Sequence, residues 1–264
     1  YGFCIACNSG APNHGTPART ALKRVGDHFS GGSSPILSTA NGGECQQNFN
    51  ILLTDGYWNG ITSPSVGNAD GDNNTSFDGG VYGDTTHNTL ADVAMKYYEN
   101  DLQTAIPNNV PTIAGVDEAS HQHLVNYTVA FGVTGTLDPK TQTPSGTSFW
   151  PNPSSGDAQK IDDLWHAAYN SRGKFLSAQN PVELTQSLTD ALTSIENRTG
   201  SAAAVAFNTS TLDTDSSVFL VLFNSNRWSG LVYRYPINSD DGSVSTTADW
   251  EASGSLNSRN LTSE

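Results

Sequence analysis

Apolar positions recur at helical spacing through Ala18, Ala21, Leu22, Val25 and Phe29, directly after Gly15-Thr16-Pro17. This predicts a first helix with Thr16 as its N-cap and Pro17 at its first position. The residues before it, 1–14, have no period and read as a loop. Phe49 to Leu53 then form an apolar run closed by Thr54-Asp55-Gly56. The run lacks strict alternation and reads as a strand buried on both faces. Asp55 is thereby placed just past the strand's carboxyl end, where open α/β sheets hold ligands. Asp-Gly is also an ordinary turn pair, so a structural reading stands beside the functional one.

The same reasoning carries down the chain. Leu90, Val93, Ala94, Tyr97, Tyr98 and Leu102 predict a helix over 89–102, with Asp92 and Lys96 as an i,i+4 pair. Leu124 to Val133 predicts a second apolar strand. Ile161, Leu164, Trp165 and Ala168 predict a helix over 157–171 that Gly173 ends, and Lys174 to Ala178 a short strand. Pro181 opens a last helix carried by Leu184, Leu188, Leu192 and Ile195, ending near Gly200. Helices and strands alternate from 15 to 199, which implies parallel pairing with right-handed crossovers. From 201 the pattern changes. Ala203 to Phe207, Val218 to Phe223 and Leu231 to Pro236 read as strands, with Asn224-Ser225-Asn226 as a turn and a polar tail over 238–264. The fold class is therefore α/β: an open parallel sheet with flanking helices over 1–200, then a small β appendage and tail over 201–264 that leads toward a further domain.

Composition narrows the function. The 264 residues suit one large α/β unit with a smaller appendage. Twenty-six acidic against twelve basic residues give a formal charge of -14, which repels nucleic acid and anionic lipid and suits divalent cations. There is no basic run and no aromatic-plus-basic patch, so no nucleic-acid partner is expected. No apolar run approaches the roughly 20 residues that span a bilayer. A charged fraction of only 14% with plentiful Ser, Thr, Asn and Gly fits an exported protein. Tyr1 opens the chain with neither initiator Met nor signal peptide, so a processed or truncated piece of something longer is expected.

Three clusters carry candidate chemistry. Cys4, Cys7 and Cys45 are disulfide candidates, Cys45 pairing back to Cys4 or Cys7 in an exported protein; with His14 they are also a four-ligand zinc set of irregular spacing. In the polar insertion over 59–88, Asp70, Asp72, Asn74 and Asp78 fall at positions 1, 3, 5 and 9 of a calcium-loop pattern. Thr75 and Val81 then occupy its usual glycine and glutamate positions. A solvated cluster of Asx turns is the competing reading. His121 and His123 share one side of an extended segment and read either as metal ligands or as hydrogen-bonded structural residues. Trp165 reads as core, and Trp228 as packing the appendage against the main domain, with a ligand role as the alternative.

Gly15-Thr16-Pro17 opening a helix and Leu53-Thr54-Asp55-Gly56 closing a strand resemble the von Willebrand factor A domain. The resemblance implies a metal-ion-dependent adhesion site in which Thr16 and Asp55 are oxygen ligands of Mg²⁺ or Ca²⁺. It also exposes a departure, for the D-x-S-x-S motif is absent and nothing before Thr16 supplies the first three strands. In the strand order 3-2-1-4-5-6, the strand at 49–55 lies beside the absent first strand, so the fold is an incomplete A-like sheet. An open apolar edge invites pairing, and preceding sequence or another chain is expected to complete it.

A longer series extends the match. Thr54-Asp55-Gly56-Tyr57-Trp58-Asn59, Gly67-Asn68 with Asp70-Gly71-Asp72, Leu90-Ala91-Asp92-Val93-Ala94 with Tyr97-Tyr98, His121-Gln122-His123, Phe131-Gly132-Val133, Ile161-Asp162-Asp163-Leu164-Trp165-His166-Ala167-Ala168 and Trp228-Ser229-Gly230 occur in an order similar to the PilY/PilC family. That resemblance covers nearly the whole chain. It implies an exported, non-enzymatic module of the type IV pilus tip, the cell surface or the outer membrane. Its implied work is pilus assembly and adhesion to a host or abiotic surface, with pilins or minor pilins as partners. The alternatives are an exported metal-dependent hydrolase using Asp55, Asp70, Asp72 and His121, and a metal-free secreted scaffold. No nucleophile elbow or H-E-x-x-H spacing supports the hydrolase.

Overall fold

In the computed structural model, residues 15–59, 62–200, 204–207, 217–224, 229–238, 243–245 and 247–252 are described. Helix α1 (Ala18–Ser30), strand β1 (Asn48–Thr54), helix α2 (Leu90–Glu99), strand β2 (Leu124–Phe131), helix α3 (Asp157–Asn170), strand β3 (Phe175–Ala178) and helix α4 (Pro181–Gly200) follow one another as the periodicity predicts. Strands β4 (Ala204–Phe207), β5 (Ser217–Asn224), β6 (Ser229–Pro236) and β7 (Trp250–Glu251) come after them. The chain divides into two compact units, Tyr1–Ala191 and Leu192–Glu264, with the division inside α4.

In the first unit β1, β2 and β3 form a three-stranded sheet in that order, parallel throughout. The β1–β2 register runs from Asn48 opposite Leu124 to Thr54 opposite Ala130. Side chains alternate across a strand, so Leu52, Leu124, Ala130 and Phe175 share one face. They pack there with Ala18, Leu22 and Val25 of α1, Leu90, Val93, Ala94 and Tyr97 of α2, and Ile161, Leu164 and Ala167 of α3. The same face carries a polar seam. Asn50 donates to Asn126 (3.0 Å), Thr128 donates to the Leu164 carbonyl (2.8 Å) and Asn48 to the His123 carbonyl (3.1 Å). On the opposite face Phe49 meets Tyr127 with ring centroids 6.4 Å apart. Among the described residues β1 has a strand neighbour on one side only.

Element ends differ from expectation for local reasons. The N-cap of α1 is Pro17, with no side-chain capping bond, and Thr16 lies outside the helix. Pro has no N–H to lose and its φ suits the position. Helix α2 is shorter than 89–102. It starts behind Thr89, whose hydroxyl accepts from the Asp92 N–H at 3.0 Å while Asp92 accepts from the Thr89 N–H at 2.8 Å, a reciprocal capping box. Asp92 is thus fully buried at the helix start, and the expected pairing with Lys96 is not what it does.

The 62–88 segment has no helix or strand, yet it is packed. Gly79 N–H donates to the Asp70 carbonyl and Asn88 N–H to the Gly67 carbonyl. Ala69, Phe77 and Tyr82 pack with Met95 and Tyr98 of α2 and with Ala119 in a second, smaller core. Arg172 closes this region from the far side. Its guanidinium lies 3.8 Å from the Tyr82 ring centroid and 4.2 Å from that of Tyr98, and it donates to the Phe77 carbonyl at 2.8 Å.

The second unit holds an antiparallel sheet ordered β4-β5-β6-β7. Strand β7 has no counterpart in the periodicity, being two residues long. It is held beside β6, where Arg234 reaches both Asp249 oxygens at 2.9 and 2.8 Å. Trp228 and the 225–226 turn lie outside the described residues.

Candidate functional site

The sequence singles out two loops, and the chain brings them together at the carboxyl end of β1. The Asn59 N–H donates to the Thr16 carbonyl at 2.8 Å. A Cβ on Gly56 would stand 3.9 Å from the Thr16 hydroxyl. Gly15 lies so close to the Asn59 side chain that a Cβ there would clash, which is why a glycine precedes Thr16. The turn after β1 is fixed by the buried Thr54, whose hydroxyl donates to the Gly56 carbonyl (2.8 Å) and accepts from the Gly56 N–H (3.2 Å). Asp55 therefore points to solvent rather than into the core. Behind it Trp58 is buried, with the Arg19 guanidinium 4.1 Å from its ring centroid. The mouth thus presents one exposed carboxylate and one threonine on adjacent loops.

The calcium-loop series does not stay together. Asp72 and Asp78 remain at the surface: Asp72 accepts from the Asn74 N–H and side-chain amide, and Asp78 from the Asn74 and Thr75 N–H groups. Asn74 serves here as a donor. Glu99 of α2 joins them, accepting from the Thr75 hydroxyl at 3.1 Å. Burial, with Asp78 and Asp72 adding to it, pushes the Glu99 carboxyl up to about 7. Asp70 instead turns inward and is fully buried. Its Oδ1 accepts from the Asp84 N–H (3.2 Å) and its Oδ2 from the Asn170 side chain (2.9 Å). Burial and the charges of Asp92 and Asp84 push its carboxyl up to about 9. The period of the motif could not reveal this, because Ala69 beside it is a core residue and draws the chain inward.

Asp70 belongs to a buried polar group that the sequence reading missed. Asp163 of α3 is fully enclosed and accepts from the Leu90 and Ala91 N–H groups at 2.9 and 3.0 Å, satisfying the first turn of α2 from another helix. Burial pushes it up to about 7 and Asp92 up to about 6. His166 stacks on Trp150, centroids 4.1 Å apart, and burial lowers its imidazole to about 3, which keeps it neutral. Asp162 accepts from the Thr136 and Leu137 N–H groups and holds the loop after β2. A capping signature was legible in Thr89-x-x-Asp92, and two adjacent aspartates against the inward stripe of α3 were a second signal.

His121 and His123 are both buried, with ring centroids 5.6 Å apart. His121 Nε2 lies 2.8 Å from the Tyr98 carbonyl; His123 lies 2.7 Å from the His121 carbonyl and 3.3 Å from Asp117. They are hydrogen-bonded structural residues. Among the described residues no three His, Cys, Asp or Glu side chains form a group that could hold an ion. Cys45 is exposed and has no disulfide partner among the described residues, while Cys4, Cys7 and His14, and with them the disulfide and zinc readings, lie outside the described residues. No helix among the described residues is long and apolar enough to cross a membrane.

Comparison with known proteins sets this geometry in a family. No family model matches, and no solved structure matches. Three curated relatives do, each described as type IV pilus biogenesis factor PilY1 of Pseudomonas aeruginosa. The chain is 32% identical to that of strain PAK over 288 residues, and 31% identical to those of strains PAO1 and UCBPP-PA14. The matches take in 92–93% of this chain and 25% of each relative. The chain thus spans about a quarter of the length of the curated relatives it matches. The matches embrace both the parallel-sheet unit and the β segment after it, and they support a place for the chain in the PilY/PilC family.

Proposed function

We propose that the chain is a non-enzymatic module of a type IV pilus biogenesis factor, exported and working at the pilus tip in assembly and surface adhesion. In this reading the first unit is an incomplete von Willebrand factor A-like domain. Pilins or minor pilins, and a host or abiotic surface, are its partners. The open side of β1 takes a further strand from preceding sequence or from another chain. Thr16 and Asp55 hold Mg²⁺ or Ca²⁺ as an adhesion-type site, and Asp72 and Asp78 are a second, surface calcium candidate.

One observation carries the adhesion-site reading. The Thr16 and Asp55 loops are locked side by side by the Asn59–Thr16 hydrogen bond, with Asp55 left open to solvent at the sheet's mouth. Hard oxygen ligands with open positions suit Mg²⁺ and the carboxylate of a partner. Calorimetric titration with Mg²⁺ tests it. A binding signal that Asp55→Ala abolishes and Asp72→Asn leaves intact is expected; no signal in the parent chain ends the metal-dependent part.

A further inference from the structure

A short turn ahead of β2 is fastened by a buried carboxylate. The Ile113 N–H donates to the Asp117 carbonyl at 2.6 Å, and the Asp117 N–H to the Ile113 carbonyl at 2.8 Å. Val116 at the tip is exposed, while the Asp117 side chain is buried. That side chain reaches two other elements. Its Oδ1 accepts from the Tyr98 hydroxyl of α2 at 2.9 Å, and its Oδ2 lies 3.3 Å from Nε2 of His123, the residue before β2. The His123 ring is equally enclosed, and its Nδ1 lies 2.7 Å from the His121 carbonyl. A carbonyl oxygen only accepts, so Nδ1 carries a hydrogen. A neutral ring has just one N–H, so Nε2 would then turn a lone pair on a carboxylate that also only accepts. The Tyr98 hydroxyl is engaged at Oδ1. One further proton between Nε2 and Oδ2, on either atom, makes their contact a hydrogen bond, and without it two lone pairs face each other in a buried place.

Other titratable groups face this contact from each neighbouring element. His121, its ring 5.6 Å from that of His123, has its imidazole lowered by burial, and its Nε2 meets the Tyr98 carbonyl. Asp101 acts on His121 from beyond α2. Tyr82 of the 62–88 segment acts on Tyr98, and the Arg172 guanidinium lies 4.2 Å from the Tyr98 ring centroid. We propose that the proton held between His123 and Asp117 is a pH-operated latch, which fastens the 111–119 turn to α2 and β2 when bound and frees it when lost. Histidine is the side chain that ordinarily changes charge between pH 5 and 8, so the latch opens as pH rises through that range. Its release reaches further than the turn. The Gln47 side chain donates to the Pro111 carbonyl at 3.4 Å, and the Gln122 side chain donates to the Glu44 and Pro107 carbonyls at 3.2 and 3.0 Å. The segment before β2 thereby braces the residues that lead into β1. An open latch loosens the entry to β1, the strand with a neighbour on one side only among the described residues.

The test measures amide hydrogen exchange in the full chain at pH 5.5 and pH 8, each rate referred to the intrinsic rate at the same pH. Protection of the hydrogen-bonded Ile113, Val116 and Asp117 amides should fall about tenfold from the lower pH to the higher. In Asp117→Asn the carboxamide keeps its oxygen for the Tyr98 hydroxyl and gives its own hydrogen to His123 Nε2, so protection should be the same at both pH values. Asp92, Asp163 and Glu99 titrate alike in parent and variant and cancel in the comparison. His123→Gln, whose N–H reaches Asp117 without titrating, should be equally flat and covers the case in which Asp117→Asn fails to fold. Protection in the parent that does not change with pH, or a fall that persists in the variants, overturns the proposal.

Discussion

The mouth of the parallel sheet and the place beneath the 62–88 segment are both built on aspartates, and they behave oppositely. Asp55 stands exposed to water. Asp70, Asp92 and Asp163 are buried among helices, and burial lifts their carboxyls to about 9, 6 and 7. The contrast teaches that residue type does not separate a binding carboxylate from a structural one in this fold. What separates them is whether backbone N–H groups already claim the oxygens. Asp163 serves two N–H donors at the start of α2, and Asp92 serves the Thr89 N–H there and the Asp70 N–H of the loop, whereas among the described residues no bond to the Asp55 side chain competes at the mouth.

Four substitutions sharpen that contrast. The largest effect is expected from Asp92→Ala, which strips the acceptor from the Thr89 N–H and hydroxyl and from the Asp70 N–H at once. Chemical denaturation should show a loss of about 3–5 kcal/mol, since several buried donors lose their partner together. Asp163→Asn comes next and has a pH signature. The folded carboxyl near 7 lies above its unfolded value, so the proton it holds stabilises the fold fully below about pH 4. That contribution is lost as pH rises toward 7. An Asn cannot ionise, so the variant should gain on the parent by about 1 kcal/mol per pH unit between pH 5 and 7. His166 titrates in the opposite sense in both proteins, because its lowered value favours the fold as pH rises to about 6.5, and it cancels in the difference. A flat difference across that window would show that Asp163 is ionised throughout.

Thr89→Ala should cost about 1 kcal/mol, the usual worth of a side-chain N-cap, measured by the shift in denaturation midpoint. The smallest stability change is expected from Asp55→Ala, within about 0.5 kcal/mol of the parent as for an exposed residue without a structural bond. A large loss there would erase the contrast and make Asp55 a structural residue like the others.

Much of the fold was legible because its signals were local. The apolar periods of α1, α2, α3 and α4 and the runs of β1 and β2 give the alternation, and parallel pairing follows from it. The site was legible only in part. Thr16 and Asp55 stand where a helix start and a strand end predict, so their approach could be read across 38 intervening positions. Asp70 could not be separated from Asp72 by spacing, because the separation is made by Ala69 and Tyr82 packing against α2. Nor does any local pattern disclose that Asp163 serves N–H groups 72 and 73 positions earlier.

That last bond has a consequence for how the unit comes apart. Asp163 finishes the first turn of α2 from α3, so α2 has no complete beginning until α3 has docked. A protease that cut the exposed 138–148 stretch would leave two fragments that still migrate together, because the clasp joins chain on either side of the cut. They should separate only when the helices themselves melt.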